Sequence, residues 1–327
     1  MNKYLLVAYF TMEYGAPDFF GFAYTEDQQK AVNLLREAKK KNSKTKLCLM
    51  VAPSFVVDFS YFDFVPLMKG LGFDKVTELT FGAKIVNQHY HKYIKEHFSD
   101  YAMNGKRIDK NSQNKFISSV CPATVELVKN RHPELVKYLM PFVSPMSAMA
   151  KIVKKNFPKH KIVFLAPCSA KKFEAAKLLN GKKKRIVDVA ITFAELKQII
   201  AKEKPKPKSG SRKFDSFYND YTKVYPLSGG LSSTLHCNGI LHKNDVVVKD
   251  GCIELEKLFS KTPEKVFYDV LFCKGGCIGG PGIASRAPIF MKKQRVIKYR
   301  NFAKKEKMDG RQGIDKYTKG LDFSREF

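Results

Sequence analysis

Short, almost continuously apolar runs alternate along this chain with stretches of helical spacing. The runs Lys46–Val51, Lys161–Leu165, Ile186–Ile191 and Val266–Phe272 have the length and character of strands buried on both faces of a parallel sheet. Tyr4–Phe10 reads as a further strand. Helices are predicted over Asp27–Lys40, Asn87–His97, Ala123–Asn130, Met146–Lys155, Lys171–Leu179 and Phe193–Lys202. In the first of these Ala31, Leu34, Leu35 and Ala38 fall on one face, the stripe that a core-facing helix needs. Strands alternating with helices predict an α/β fold with parallel sheets. The segment from Lys204 to Ser211, which alternates lysine with proline and ends in Ser-Gly-Ser, reads as an exposed, extended loop. No internal repeat is found.

Several cysteines stand where these runs end. Cys273-Lys274-Gly275-Gly276-Cys277 follows Val270-Leu271-Phe272 and leads into Ile278-Gly279-Gly280-Pro281-Gly282. Cys121 closes Ser118-Ser119-Val120 after Phe116-Ile117, and Cys168 follows Val163–Pro167. Thiols at strand ends that run into turns or helices are placed to converge on one cleft of an α/β fold. Four thiolates make the ligand set of a [4Fe–4S] cluster; a single zinc ion is the rival reading, and buried free cysteines are the plain one. Cys48, Cys237 and Cys252 fall outside the set, Cys48 in an apolar run suited to the core and Cys252 beside a turn at Asp250-Gly251.

The three cysteine segments resemble, in order and character, the signature motifs of the catalytic domain of [FeFe]-hydrogenases. Ser118-Ser119-Val120-Cys121-Pro122 is similar to the first; Ala166-Pro167-Cys168 with Lys171 and Glu174 to the second; and Cys273 to Gly282 to the third. Val51-Ala52-Pro53-Ser54 resembles the family's first core strand and pocket turn, and Leu71–Val76 with Phe81-Gly82-Ala83 the strand region that follows. His132–Leu135, Ser144-Pro145 and Ser228-Gly229-Gly230 fit further along, so that the resemblance runs from residue 46 to the mid-290s. It implies a two-lobed α/β H-cluster domain, parallel sheets flanked by helices, with the cluster in the cleft between the lobes. It further implies that Cys121, Cys168, Cys273 and Cys277 bind the [4Fe–4S] part of the H-cluster, Cys277 bridging to a diiron subcluster carrying CO and CN ligands. Lys171 would then donate to a cyanide nitrogen, and Ala52, Pro53 and Ser54 would line the opposite wall. The activity implied is reversible H2 oxidation and proton reduction, with Lys171 and Glu174 as catalytic residues and maturation proteins as partners that load the diiron site.

Departures from the family pattern bear on that activity. The proton-donating cysteine usual before the first ligand is replaced by Val120. The outward relay of two glutamates and a serine falls at Tyr90, Tyr93 and Met140; the methionines packed on the diiron site become Ala166 and Leu271, and a glutamine becomes Met146. Valine cannot titrate and tyrosine does so far from neutrality, so proton transfer is slow or rerouted, with His89, His91 and Glu174 as the available groups. Two alternatives stand beside catalysis. One is an H2- or redox-sensing H-cluster protein, a class that also loses the donor cysteine and carries a proline where Pro281 stands. The other is a [4Fe–4S] protein of electron transfer or cluster assembly without the diiron site.

At 327 residues the chain can bury a large core. Residues 1–45, which carry no cluster motif, are expected to form an N-terminal extension, and 46–327 the H-cluster domain. Seven cysteines, an odd number without the compact spacing of a small secreted domain, point to a reducing, cytoplasmic setting. No apolar run reaches the roughly 18 residues of a membrane span. The 59 Lys and Arg against 31 Asp and Glu give a net charge of +28. That field favours acidic partners, an acidic ferredoxin or flavodoxin as electron carrier. Nucleic acid is the weaker candidate, because the lysines are spread along the chain and no nucleic-acid motif occurs.

Overall fold

A computed structural model describes residues 24–102, 115–219, 221–237, 240–261, 264–305 and 314–327; the strand expected at Tyr4–Phe10 lies outside these. Helix α1 (Glu26–Ala38) starts at a reciprocal cap: Gln28 N–H donates to Thr25 Oγ1, and Thr25 N–H donates to Gln28 Oε1. It buries Ala31, Val32 and Leu35, leaving Leu34 and Ala38 at the margin. Then follow β1 (Lys46–Val51), α2 (Phe64–Leu71), β2 (Lys75–Glu78), α3 (Thr80–Ala102) and β3 (Phe116–Ile117). Next come α4 (Pro122–Arg131), α5 (Pro145–Asn156), β4 (His160–Ala166), α6 (Ser169–Lys177), β5 (Val189–Thr192) and α7 (Phe193–Glu203). The chain continues through β6 (Val246–Asp250), α8 (Cys252–Phe259), β7 (Phe267–Leu271), α9 (Ile289–Lys305) and α10 (Ile314–Thr318).

The strands make two all-parallel sheets, one ordered β2-β1-β4-β5 and the other β3-β7-β6. In the first, the chain winds outward from β1 to β2, then returns to build β4 and β5 on the other side. The gap between β1 and β4 is therefore a topological switch point, where a crevice opens at the carboxyl ends of the strands. Helix α1 packs on β5, β1 and α7, and Lys172 ties it down through ion pairs to Asp27 and Glu195 of α7. The core of the first sheet includes Phe55, Phe64, Phe164 and Phe193, all essentially out of solvent. Each such burial contributes about 1.5–3 kcal/mol. Cys48 is buried among them, as its apolar run predicts.

Some elements differ from the sequence pattern for identifiable reasons. The run Ile186–Ile191 pairs only from Val189, because Ile186 N–H bonds to Leu178 O and the ladder is first met at Asp188, which donates to Ile162 O. Strand β6 is a half-exposed sheet edge, so its sequence lacks a buried run. Helix α9 buries only Lys292, Val296, Tyr299 and Ala303, too narrow a stripe to stand out among its basic residues. The turn at Asp250-Gly251 is present, but Cys252 opens α8 directly, with Gly251 at φ +94° as its cap.

Candidate metal centre between the two sheets

Every cysteine of the predicted set lies at a strand's carboxyl end. Cys121 follows β3 and occupies the cap position of α4; Cys168 follows β4 and caps α6. A helix start carries unpaired N–H groups and positive dipole charge, which favour a thiolate or an anionic cluster there. Cys273 and Cys277 come from the turn after β7, in which Gly275 and Gly276 hold φ near +80°, a conformation open to glycine at little cost. The turn is clamped onto the Cys168 segment. Gly282 N–H donates to Pro167 O at 2.8 Å, and a Cβ on Gly280 would stand 2.5 Å from the same oxygen. Backbone contact this close brings Cys277 up to Cys168.

These segments border a cavity open to solvent at its mouth, about 820 Å³ of empty space with the open mouth counted in, whose walls come from both sheets. Cys121, Cys168, Cys273 and Cys277 all line it, as do Lys171 and, on the β1 side, Ala52, Pro53 and Ser54. The remaining wall is apolar, including Val120, Met146, Phe164, Leu271 and Phe272. Ala166 stays in the strand and is not part of the lining. Among the described residues no three His, Cys, Asp or Glu side chains close on one point as a single ion requires; the thiols border a wider space. Ser54 Oγ is fully buried with no hydrogen-bond partner, a state that costs about 1–3 kcal/mol unless something in the cavity satisfies it.

Burial raises the pKa of three of the thiols, and their mutual repulsion as thiolates adds to it. Cys168 is pushed up to about 11 and Cys277 to about 12, while Cys273 moves well above its ordinary value. Lys171 partly offsets the rise at Cys168 and Cys277. Such thiols shed their protons when a metal centre supplies the compensating charge.

Lys171 is held in place from two directions. Its Nζ donates to Glu174 Oε2 at 2.7 Å and to Val120 O at 3.1 Å. Both partners of this ion pair are largely buried, and Glu174 Oε1 accepts in turn from Ser147 Oγ. Two of the three ammonium protons are thus committed, leaving one for the cavity. Glu174 itself does not line the cavity; it holds Lys171.

The groups considered for proton transfer do not reach this space. Tyr90 is fully buried, its hydroxyl accepting from Ser119 N–H and sharing a bond with Ser119 Oγ, which is also bonded to the carbonyls of Met140 and Phe142. That knot is closed on itself. Tyr93 stacks on His97, His89 packs against Phe142 and Phe323, and His91 lies against Leu235 O and Cys237. Tyr225, which does line the cavity, carried no signal in the sequence. Asp269 did: it is an acidic residue inside the run Val266–Phe272, and it is buried in the middle of β7.

Residues 45–281 match the family described as iron only hydrogenase large subunit, C-terminal domain. The chain is 25% identical over 280 residues to iron hydrogenase 1 of Clostridium pasteurianum, covering 71% of this chain and 47% of that protein. It is 27% identical over 197 residues to the cytosolic Fe-S cluster assembly factor NAR1 of Encephalitozoon cuniculi, 52% of each. The chain thus spans about half the length of these relatives. Among solved structures, [FeFe]-hydrogenase HydA1 of Chlamydomonas reinhardtii superposes with a TM-score of 0.65 over 84% of this chain and 88% of that one, at 16% identity.

Proposed function

The chain belongs to the iron-only hydrogenase family, in the part that forms the C-terminal domain of the large chain, and from that premise we propose that its cavity holds an H-cluster and turns over molecular hydrogen slowly. The observation that carries this reading is the convergence of four thiols, one ammonium and one unpaired hydroxyl on a single apolar cavity. The donor set fits the group. Cys121, Cys168, Cys273 and Cys277 supply thiolates for a [4Fe–4S] cluster, and membership of an iron-only hydrogenase family favours a cluster over one zinc ion. Cys277 would also bridge to the diiron part; the free Lys171 proton and Ser54 Oγ would meet its anionic ligands from opposite walls. When bound, the cofactor supplies the redox and hydrogen-splitting chemistry. The protein's own residues then orient it, keep water out with the apolar wall, and fix Lys171 through Glu174.

Proton delivery limits the rate, because Val120 offers no proton and the Tyr90–Ser119 knot offers no exit. An acidic ferredoxin or flavodoxin would deliver electrons. A docking patch suits it: Ile289 at the start of α9 packs over Gly275 and Gly279 of the ligand turn, with Phe290 and Met291 exposed beside it and Lys274, Arg286 and Lys293 around. Exposed apolar groups ringed by charge mark such surfaces.

A second reading rests on the same closed proton route and on the similarity to a cluster assembly factor: a [4Fe–4S] protein without the diiron part. Replacing Cys121, Cys168, Cys273 or Cys277 by alanine should lower iron and sulfide content several-fold, while Cys48→Ala, Cys237→Ala and Cys252→Ala leave it unchanged. Stoichiometric zinc without sulfide in protein purified without oxygen would overturn both readings. After incubation with maturation proteins, infrared bands of bound CO and CN decide for the first reading. Their absence from protein with a full cubane decides for the second.

A further inference from the structure

Strand β7 carries a carboxylate with no part in holding the thiols or Lys171. Asp269 is 1% exposed, and among the described residues none of the ion pairs includes it. Its Oδ2 accepts from Ser232 N–H at 2.9 Å and Ser232 Oγ at 2.8 Å, while its buried Oδ1 has no hydrogen-bond partner. A carboxylate satisfied on one oxygen only is poorly compensated for its charge. Burial pushes its pKa up to about 6.

Asp269 precedes Leu271 by two residues in β7 and so shares its face of the strand; Leu271 lines the cavity, while Ser232 leads from the carboxylate toward solvent. Its charge is felt by Tyr90 of α3 and by Tyr225. Tyr225 lines the cavity, feels the Cys277 thiolate as well, and donates its hydroxyl to Asn87 Oδ1. Strand β6 sets Val248 beside Asp269. Toward solvent, Ser232 is half-buried and Ser233 next to it is exposed.

We infer that Asp269 takes up one proton when the cubane at the cavity gains one electron. This rests on the four cysteines holding a [4Fe–4S] cluster, but not on a diiron site. The electron comes from an external one-electron reductant, and the proton from water, passed through the Ser232 hydroxyl to the carboxylate. Added negative charge on the cluster side raises the proton affinity of a carboxylate that already holds its charge at a cost. The sign follows. Below the pKa of the oxidised state Asp269 is protonated in both states and the midpoint potential is flat. Above that value the potential falls as pH rises, by up to about 59 mV per tenfold change in proton activity, until the pKa of the reduced state is passed.

The test is a redox titration of the cubane from pH 5 to 9, on protein whose iron and sulfide content is measured first. Protein without iron and sulfide would count against the cluster itself; protein with a cluster tests Asp269. Native protein should show the sloping window, and Asp269→Glu should keep it. Asp269→Asn should be flat throughout, with a higher potential than native protein at alkaline pH. Ser232→Ala removes the hydroxyl that steadies the carboxylate and should move the window to higher pH, which keeps the inference testable if Asp269→Asn loses its cluster. Infrared difference spectra on reduction should show a protonated carboxyl in native protein and none in Asp269→Asn. A flat native profile, an undiminished slope in Asp269→Asn, or an unmoved window in Ser232→Ala would overturn it.

Discussion

At Val120 one residue separates this cavity from one with a proton donor. The side chain lies on the cavity wall directly before Cys121, so a thiol there would face the same space. Beyond it, however, the Ser119 hydroxyl is bonded to the carbonyls of Met140 and Phe142, and the Tyr90 hydroxyl is bonded back to Ser119. A well-placed general acid contributes about 10²–10⁴-fold, but only if it is itself resupplied with protons. Val120→Cys alone should therefore raise hydrogen–deuterium exchange by less than about tenfold in matured protein. A gain near the full general-acid contribution would show that protons leave by a route other than the Tyr90–Ser119 knot. Lys171 teaches a related point: the resemblance of its segment to the hydrogenase motif implies a cavity-facing ammonium, and the structure adds that Glu174 and Val120 O hold it there.

Among the elements, the turn after β7 sets the site's geometry, because its glycines allow backbone to lie on backbone. Gly280→Ala would put a methyl group 2.5 Å from Pro167 O. The strain of such overpacking is typically about 1–3 kcal/mol, and relieving it would pull Cys277 away from Cys168. Cluster content and thermal stability should both fall. Gly181→Ala, where nothing lies within 4 Å, is the matched control and should change neither. A Gly280→Ala protein with native melting temperature and iron content would remove this packing from the account of the site. Elements escape the sequence pattern for two reasons: α2 buries Phe64, Val65, Met68 and Leu71 but is only eight residues long, and others bury little. Strand β6 and helix α9 bury little surface, so no hydrophobic period announces them. The buried strands β1, β4 and β7 are announced by their apolar runs, to within a residue or two at each end.

For the molecule as a whole, a net charge of +28 makes association with an acidic carrier depend on screening. Raising ionic strength from about 0.01 to about 1 M shortens the Debye length from about 30 to about 3 Å. The rate of electron transfer from a small acidic [2Fe–2S] ferredoxin should drop more than about tenfold over that range. Phe290→Asp should slow it further, by putting on the basic patch of α9 a negative charge that repels the acidic carrier. A rate indifferent to both would place the carrier elsewhere. The sequence by itself determined the α/β class, the family and the four thiols with Lys171 and Ser54 around them. The class and the thiols rest on local signals, apolar runs of strand length with cysteines, prolines and glycines at their ends; the family and the places of Lys171 and Ser54 rest on the resemblance of their segments to the hydrogenase motifs. Only the tertiary structure decided that Glu174 serves Lys171 rather than the cavity, that Tyr90 and Ser119 close on each other, that Tyr225 lines the cavity, and that Asp269 is buried with Ser232 as its hydrogen-bond donor. Apart from the Lys171–Glu174 pair, which is three residues apart on one helix, these facts join residues tens to hundreds of positions apart through side-chain hydrogen bonds and shared burial, and no periodicity along a single chain encodes such pairings.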